Sequence, residues 1–69
     1  MLVKINPKAI KRGMAKQCIG PFGLAQEAGL SSETVSKALR KGYCLIQTAG
    51  MIAKALNVEP EEIMEEGEL

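Results

Sequence analysis

The stretch Leu24-Ala25-Gln26-Glu27-Ala28-Gly29-Leu30-Ser31-Ser32-Glu33-Thr34-Val35-Ser36-Lys37 reads as two short helices joined by a tight turn. Leu24, Ala25 and Ala28 recur at the spacing of one buried helical face, and Gly29 follows where a left-handed terminator is wanted, because glycine reaches positive φ without a Cβ penalty. Ser31 then offers a side-chain oxygen to cap a new helix, and Glu33 places a carboxylate in its first turn, where the helix dipole favours negative charge. In this second helix Val35, Ala38 and Leu39 face inward. At about 100° per residue that leaves Ser32, Glu33, Ser36, Lys37 and Arg40 outward, and Gly42 ends the helix.

Working outward, Asn6 caps a first helix with Pro7 at its opening position, over Pro7–Gln17. Ile10, Met14 and Gln17 with Cys18 fall on its apolar side, while Lys8, Arg12 and Lys16 fall elsewhere. Gly20 and Pro21 break that helix and open the next, Pro21–Ala28. Beyond the second stop, residues 43–46 read as a short connection, and Ala49, Ile52, Ala53 and Leu56 repeat at helical spacing over residues 47–56. Asn57 terminates this fourth helix. Glu59 and Pro60 start a brief fifth helix through residue 65, anchored by Ile63, and residues 67–69 are expected to fray. The expectation is an all-α fold, a compact bundle of four to five short helices in a single domain over residues 1–69.

Composition narrows the function. A chain of 69 residues is one domain, and near this length only about 60% of the unfolded surface is buried, which leaves little room for a large catalytic cleft. The single Phe, single Tyr and absence of Trp favour closely packed helices over an aromatic-rich sheet. No apolar run approaches the roughly 20 residues needed to cross a bilayer, and residues 1–12 lack the apolar core and cleavage site of a signal peptide, so the expected location is the cytoplasm. With no His and only two Cys, neither a four-ligand structural nor a three-ligand catalytic metal site can be assembled from the usual spacings; Cys18 and Cys44 could pair with each other, but without a secretory context they read as two buried small hydrophobes. No nucleophile–base pairing and no phosphate-cradling glycine motif is present, so neither an enzyme, a small-molecule substrate nor a cofactor is expected.

Charge is distributed unevenly. Residues 1–41 carry a net +6 and residues 42–69 a net −5, although the whole chain sums to +1. One end can meet a polyanion while the other repels it, although charge runs are also what solvated helix faces look like.

The segment from Leu24 to Lys37 is similar to the helix-turn-helix of the lambda-repressor-like, or XRE/Cro, transcriptional regulators. Ile52-Ala53-Lys54-Ala55-Leu56-Asn57-Val58, followed by Glu61-Glu62-Ile63, resembles that family's fourth helix and its exit into a fifth, which extends the likeness to about residues 8–64. The resemblance implies sequence-specific double-stranded DNA binding by a small regulator, a repressor in the usual case, with a recognition helix over about residues 32–41 in the major groove. It implies Ser32, Glu33, Ser36 and Lys37 as base-contact candidates. Lys37 can donate to guanine and Glu33 can accept from cytosine, although Glu33 can equally serve the helix dipole and Lys37 a phosphate. Lys16, Ser31, Arg40, Lys41 and Tyr43 fall where phosphate contacts are expected, whereas Lys4, Lys8, Lys11 and Arg12 can be merely solvated.

Two departures stand out. Pro21, followed by Phe22 and Gly23, occupies the place where the family often has a DNA-contacting Gln, and Leu39-Arg40-Lys41 stands where many members carry Glu. A homodimer would double the reach of one recognition helix, with the apolar residues around 43–46 and 63–64 as partner surface or as ordinary core. The competing function is a protein-interaction or antitoxin-like module on the same fold, binding through its acidic carboxy-terminal helix.

Overall fold

A computed structural model describes the backbone of residues 1–68 and the side chains of residues 1–65. Within them the order is β1 (Leu2–Ile5), α1 (Pro7–Gln17), α2 (Pro21–Ala28), α3 (Ser32–Lys41), β2 (Tyr43–Leu45), α4 (Ile46–Ala55), α5 (Pro60–Ile63) and β3 (Met64–Glu68). Among the described residues there are thus five helices, as expected, but the all-α expectation is corrected by a three-stranded antiparallel sheet in the order β2-β1-β3.

The sheet exists because Val3 and Ile5 alternate with Leu2 and Lys4, a period of two that buries one face of the strand. Val3 and Ile5 keep only 5% and 2% of their surface, and they join Ile10, Leu24, Val35, Ile52, Leu56 and Ile63 in one core. Residues 2, 3 and 4 lie opposite 45, 44 and 43. The ladder extends beyond β2 at both ends, where the Ile5 amide donates to the Gly42 carbonyl at 3.0 Å and the Ile46 amide to the Met1 carbonyl at 2.9 Å. The expected connection over residues 43–46 is therefore a strand, and α4 starts at Ile46 rather than at 47 because sheet pairing, not a side-chain cap, fixes its first turn.

The fifth helix ends at Ile63, not at 65, and Met64 turns extended at φ −96°, ψ 143°. A longer helix would stack Glu65, Glu66 and Glu68 at the negative end of its own dipole. The extended path instead pairs β3 with the second edge of β1, Ile5 opposite Met64 and Val3 opposite Glu68 with an irregularity between them. Gly67 and Glu68 are thus strand residues rather than frayed ones, and Leu69 falls outside the described residues.

Helix ends follow the expected punctuation with one correction. Asn6 accepts from the Lys8 and Ala9 amides at 3.0 and 3.3 Å, and its own amide donates to the Ile63 carbonyl at 2.7 Å. Three helices close in the same way, on a left-handed residue followed by an apolar one that folds back: Cys18-Ile19 after α1, Gly29-Leu30 after α2 and Asn57-Val58 after α4. In each pair both amides return to the last turn, as when Ile19 donates to Met14 at 3.0 Å and Leu30 to Ala25 at 2.8 Å. Cys18 and Gln17 were expected on the buried face of α1, but both are exposed: the left-handed turn at Cys18 (φ 57°) takes the chain out of the helical period just after Gln17, and Ile19 packs against the core instead. Only Cys44 is a buried thiol, and burial pushes its pKa up. The three helix ends meet at a cleft of about 660 Å³ lined by Gln17, Ile19, Glu27, Ala28, Met51, Lys54, Ala55 and Asn57.

Ile5→Ala, in a segment outside every helix, is expected to cost about 2–5 kcal/mol, a large share of the roughly 3–10 kcal/mol available to a chain this size. Urea unfolding followed by circular dichroism measures it, and a loss under about 1 kcal/mol would contradict a central position for β1.

Candidate nucleic-acid interface

The outward face of α3 is the candidate surface, and its placement starts with Ser31. This residue holds an extended backbone (φ −76°, ψ 150°), and its Oγ accepts from the Thr34 amide at 3.1 Å while lying 2.7 Å from Thr34 Oγ1. The cap satisfies one of the otherwise unpaired first-turn amides, so the helix begins sharply at Ser32. At the other end Gly42 takes φ 82° and returns its amide to the Ala38 carbonyl at 2.8 Å. Between these stops Val35 and Ala38 are buried and Leu39 is half-buried, which fixes the rotation of α3 about its axis.

That rotation leaves Ser32, Glu33, Ser36, Lys37, Arg40 and Lys41 exposed, so all four base-contact candidates share the open side of one helix. Ser32 and Ser36 are short, which lets the helix backbone come close to whatever it meets. Beside α3 runs a groove of about 420 Å³, with Ser31, Glu33, Thr34, Lys37 and Lys41 on the helix side and Leu2, Tyr43 and Leu45 on the strand side. Lys41 Nζ stands 5.9 Å from the centroid of the half-buried Tyr43 ring, a cation–π spacing that carries the positive charge over to β2.

Not every candidate joins this surface. Lys16 is exposed but lines a separate groove between α1 and α5 with Ala9, Arg12, Val58 and Glu62. The Ser31 hydroxyl is engaged by Thr34 in the cap. Thr34, Thr48, Leu2 and Leu45 line the α3–β2 groove and were not anticipated; the alternation of Val3 and Ile5 around Lys4 was the one signal for a neighbouring strand. At the start of α2, Gly20 gives no side-chain cap, Pro21 brings no amide, and Phe22 is exposed.

The sheet sorts charge. β2 follows directly from Arg40 and Lys41, whereas β3, with Glu65, Glu66 and Glu68 in its sequence, lies on the far side of β1, roughly 10 Å away at two strand spacings. A basic helix surface thus stands at one edge of the sheet and an acidic strand forms the other.

A model of the Cro/C1-type HTH DNA-binding domain matches residues 9–65. The chain belongs to this family. Neither the curated proteins nor the solved structures contain a match to it. The matched span of this Cro/C1-type domain begins inside α1 and takes in α2, α3, β2, α4 and α5, while β1 precedes it. The chain is a helix-turn-helix DNA-binding domain, and the expected family likeness is confirmed over nearly the same residues.

Ser31→Ala is expected to cost about 1 kcal/mol, and Ser31→Asp to restore it, since Asp caps as well as Ser and also favours the dipole. Urea melts of the three proteins decide this; equal stabilities would remove Ser31 from the positioning of α3.

Proposed function

We propose that this domain binds double-stranded DNA sequence-specifically as a small regulator, laying α3 in the major groove and acting as a single domain in the cytoplasm. The observation that carries the proposal is the capped, amphipathic α3, whose exposed side gathers Ser32, Glu33, Ser36 and Lys37 on short-residue backbone. A major groove about 12 Å wide admits such a helix. Among the described residues no helix is long and apolar enough to cross a membrane.

In this reading Lys37 donates to guanine O6 and N7, Glu33 accepts from a cytosine amino group, and Ser32 and Ser36 serve bases of either type. Arg40, Lys41 and Tyr43 follow at the end of the helix and hold the phosphates on one flank, as the cation–π pair already positions Lys41. Lys16, on its own groove, contributes a peripheral phosphate contact. The Phe22 end of α2 supplies no hydrogen-bonding side chain, so base discrimination rests on α3 alone. Reading only a few base pairs, one α3 gains from a second copy, and repression by occupancy of a paired site is the simplest regulatory outcome.

Lys37→Ala is expected to cost about 1–3 kcal/mol on the preferred duplex and much less on others, relaxing specificity, whereas Lys41→Ala weakens all duplexes about equally and lowers the salt slope by about 1. Fluorescence anisotropy over a selected duplex panel at several salt concentrations separates the two. Equal losses across the panel for Lys37→Ala move that residue to the backbone, and no salt-dependent duplex binding by the unaltered chain overturns the DNA reading in favour of a protein-interaction role.

A further inference from the structure

Beside α3 lies apolar surface that the DNA reading leaves unused. Leu2 and Leu45 are 42% and 50% exposed, and neither side chain can donate a hydrogen bond to a phosphate. They stand opposite each other in the β1–β2 ladder, so they share the outer face of the sheet and form one wall of the groove of about 420 Å³. Its floor holds Ala38, Cys44 and Thr48, three buried residues of small size. A groove of this volume lies within the range of small-molecule sites.

The helix wall carries its charges in order. Glu33, Lys37 and Lys41 succeed one another at four-residue spacing along one row of α3, and all three line the groove. Glu33 offsets Lys37 from the amino-terminal side. At the carboxy-terminal end no acid intervenes: Lys41 Nζ stands 5.9 Å from the Tyr43 ring centroid, and Lys4, opposite Tyr43 in the ladder, adds a further cation on the same sheet face. The groove is thus cationic where α3 runs into β2, and aliphatic along Leu2 and Leu45 farther up the strand.

We propose that this groove binds an aliphatic monocarboxylate of roughly six to ten carbons, free in solution, and that its occupation competes with DNA for α3. The carboxylate sits between Lys37 and Lys41, whose ammonium groups donate charge-assisted hydrogen bonds, and the hydrocarbon chain lies along Tyr43, Leu2 and Leu45. At neutral pH such an acid is ionised, its pKa being close to the glutamate value of about 4.3. An alcohol lacks the charged head, acetate lacks the tail, and a dicarboxylate of equal length brings a second negative charge toward Glu33. Complete burial of one methylene is worth about fourfold in affinity, and a groove open on one side yields about twofold. The competition rests on the DNA reading, which assigns Lys37 and Lys41 to the duplex; the binding of the carboxylate does not.

Binding is measured first without DNA, so that its failure is distinct from failure of the DNA reading. Titration of the isotope-labelled full chain with octanoate should give saturable amide NMR shifts confined to α3, β2 and the start of β1, and affinity should rise about twofold for each methylene from hexanoate to decanoate. Octanol, acetate and octanedioate should each bind at least about fivefold more weakly than octanoate. Leu2→Ser should weaken octanoate about threefold or more and Lys37→Met about two- to fivefold, both with unchanged circular dichroism. On a selected duplex, octanoate should then release the chain in fluorescence anisotropy, and Leu2→Ser should resist that release. Scattered or non-saturating shifts, octanol or acetate binding as well as octanoate, or affinities indifferent to Leu2→Ser overturn the site. Cosedimentation with phosphatidylglycerol vesicles at physiological salt, lost in Leu2→Ser, overturns the free carboxylate as its source. A duplex that stays bound at saturating octanoate overturns the competition, and a chain that takes octanoate but no duplex fails the DNA reading and leaves the site standing.

Discussion

Everything in this molecule is arranged around the burial of Val3 and Ile5 in the middle strand of the sheet. β1 takes hold of the chain just after α3, through the Gly42 carbonyl and β2, and again just after α5, through β3. Asn6 extends the hold: its side chain opens α1 while its backbone amide binds the Ile63 carbonyl, so one residue joins the beginning, the first helix and the last. In a core this small few contacts are spare, and the strand supplies long-range closure between the start of the chain and residues 42–46 and 63–68. Helix α3 benefits directly, because its carboxy-terminal end runs into a strand that cannot shift without breaking the ladder.

The helices are held by a second, repeated device. α1, α2 and α4 all stop on a left-handed residue and return an apolar side chain, Ile19, Leu30 or Val58, to the core. Each return converts a helix end that would otherwise need water into a packed corner. For α2 the corner also aims the chain at Ser31, so the cap that starts α3 is set by the stop that precedes it. The position of the outward face of α3 is therefore decided by Gly29, Leu30 and Ser31 together with the inward Val35 and Ala38.

The helices were legible because their signals are local. Asn6-Pro7, Pro21, Gly29, Ser31 and Gly42 each act on neighbouring residues, and α1, α2 and α3 fall where these residues place them. The sheet was not, because β1 has only four residues and its partners lie some forty and sixty positions away; nothing near Tyr43 or Met64 announces pairing with Val3 and Ile5. β1 also precedes the stretch that carries the family likeness. Cys18 was misplaced for a related reason: helical periodicity counts it on the buried side, but a left-handed turn takes it out of the periodicity. At the interface the exposed residues of α3 followed from its period, whereas the groove beside it came from the unanticipated strand. The separation of Lys16 from Lys41 depends on which helix packs against α5, and one-dimensional spacing does not carry that information.

The meeting of three helix ends at one cleft has a kinetic consequence. Each end carries up to about half a negative charge from the alignment of its peptide dipoles, and Glu27 and Lys54 on the cleft wall cancel as formal charges. The peptide backbone itself therefore makes that corner negative, and α3 contributes no residue to it. On the proposed reading, a duplex arriving at random meets repulsion from this corner and attraction from the Lys37–Lys41 side, a torque that turns the molecule before any contact forms. Orientation during encounter is thus supplied partly by the direction in which the helices run, a property that no count of charged side chains reveals.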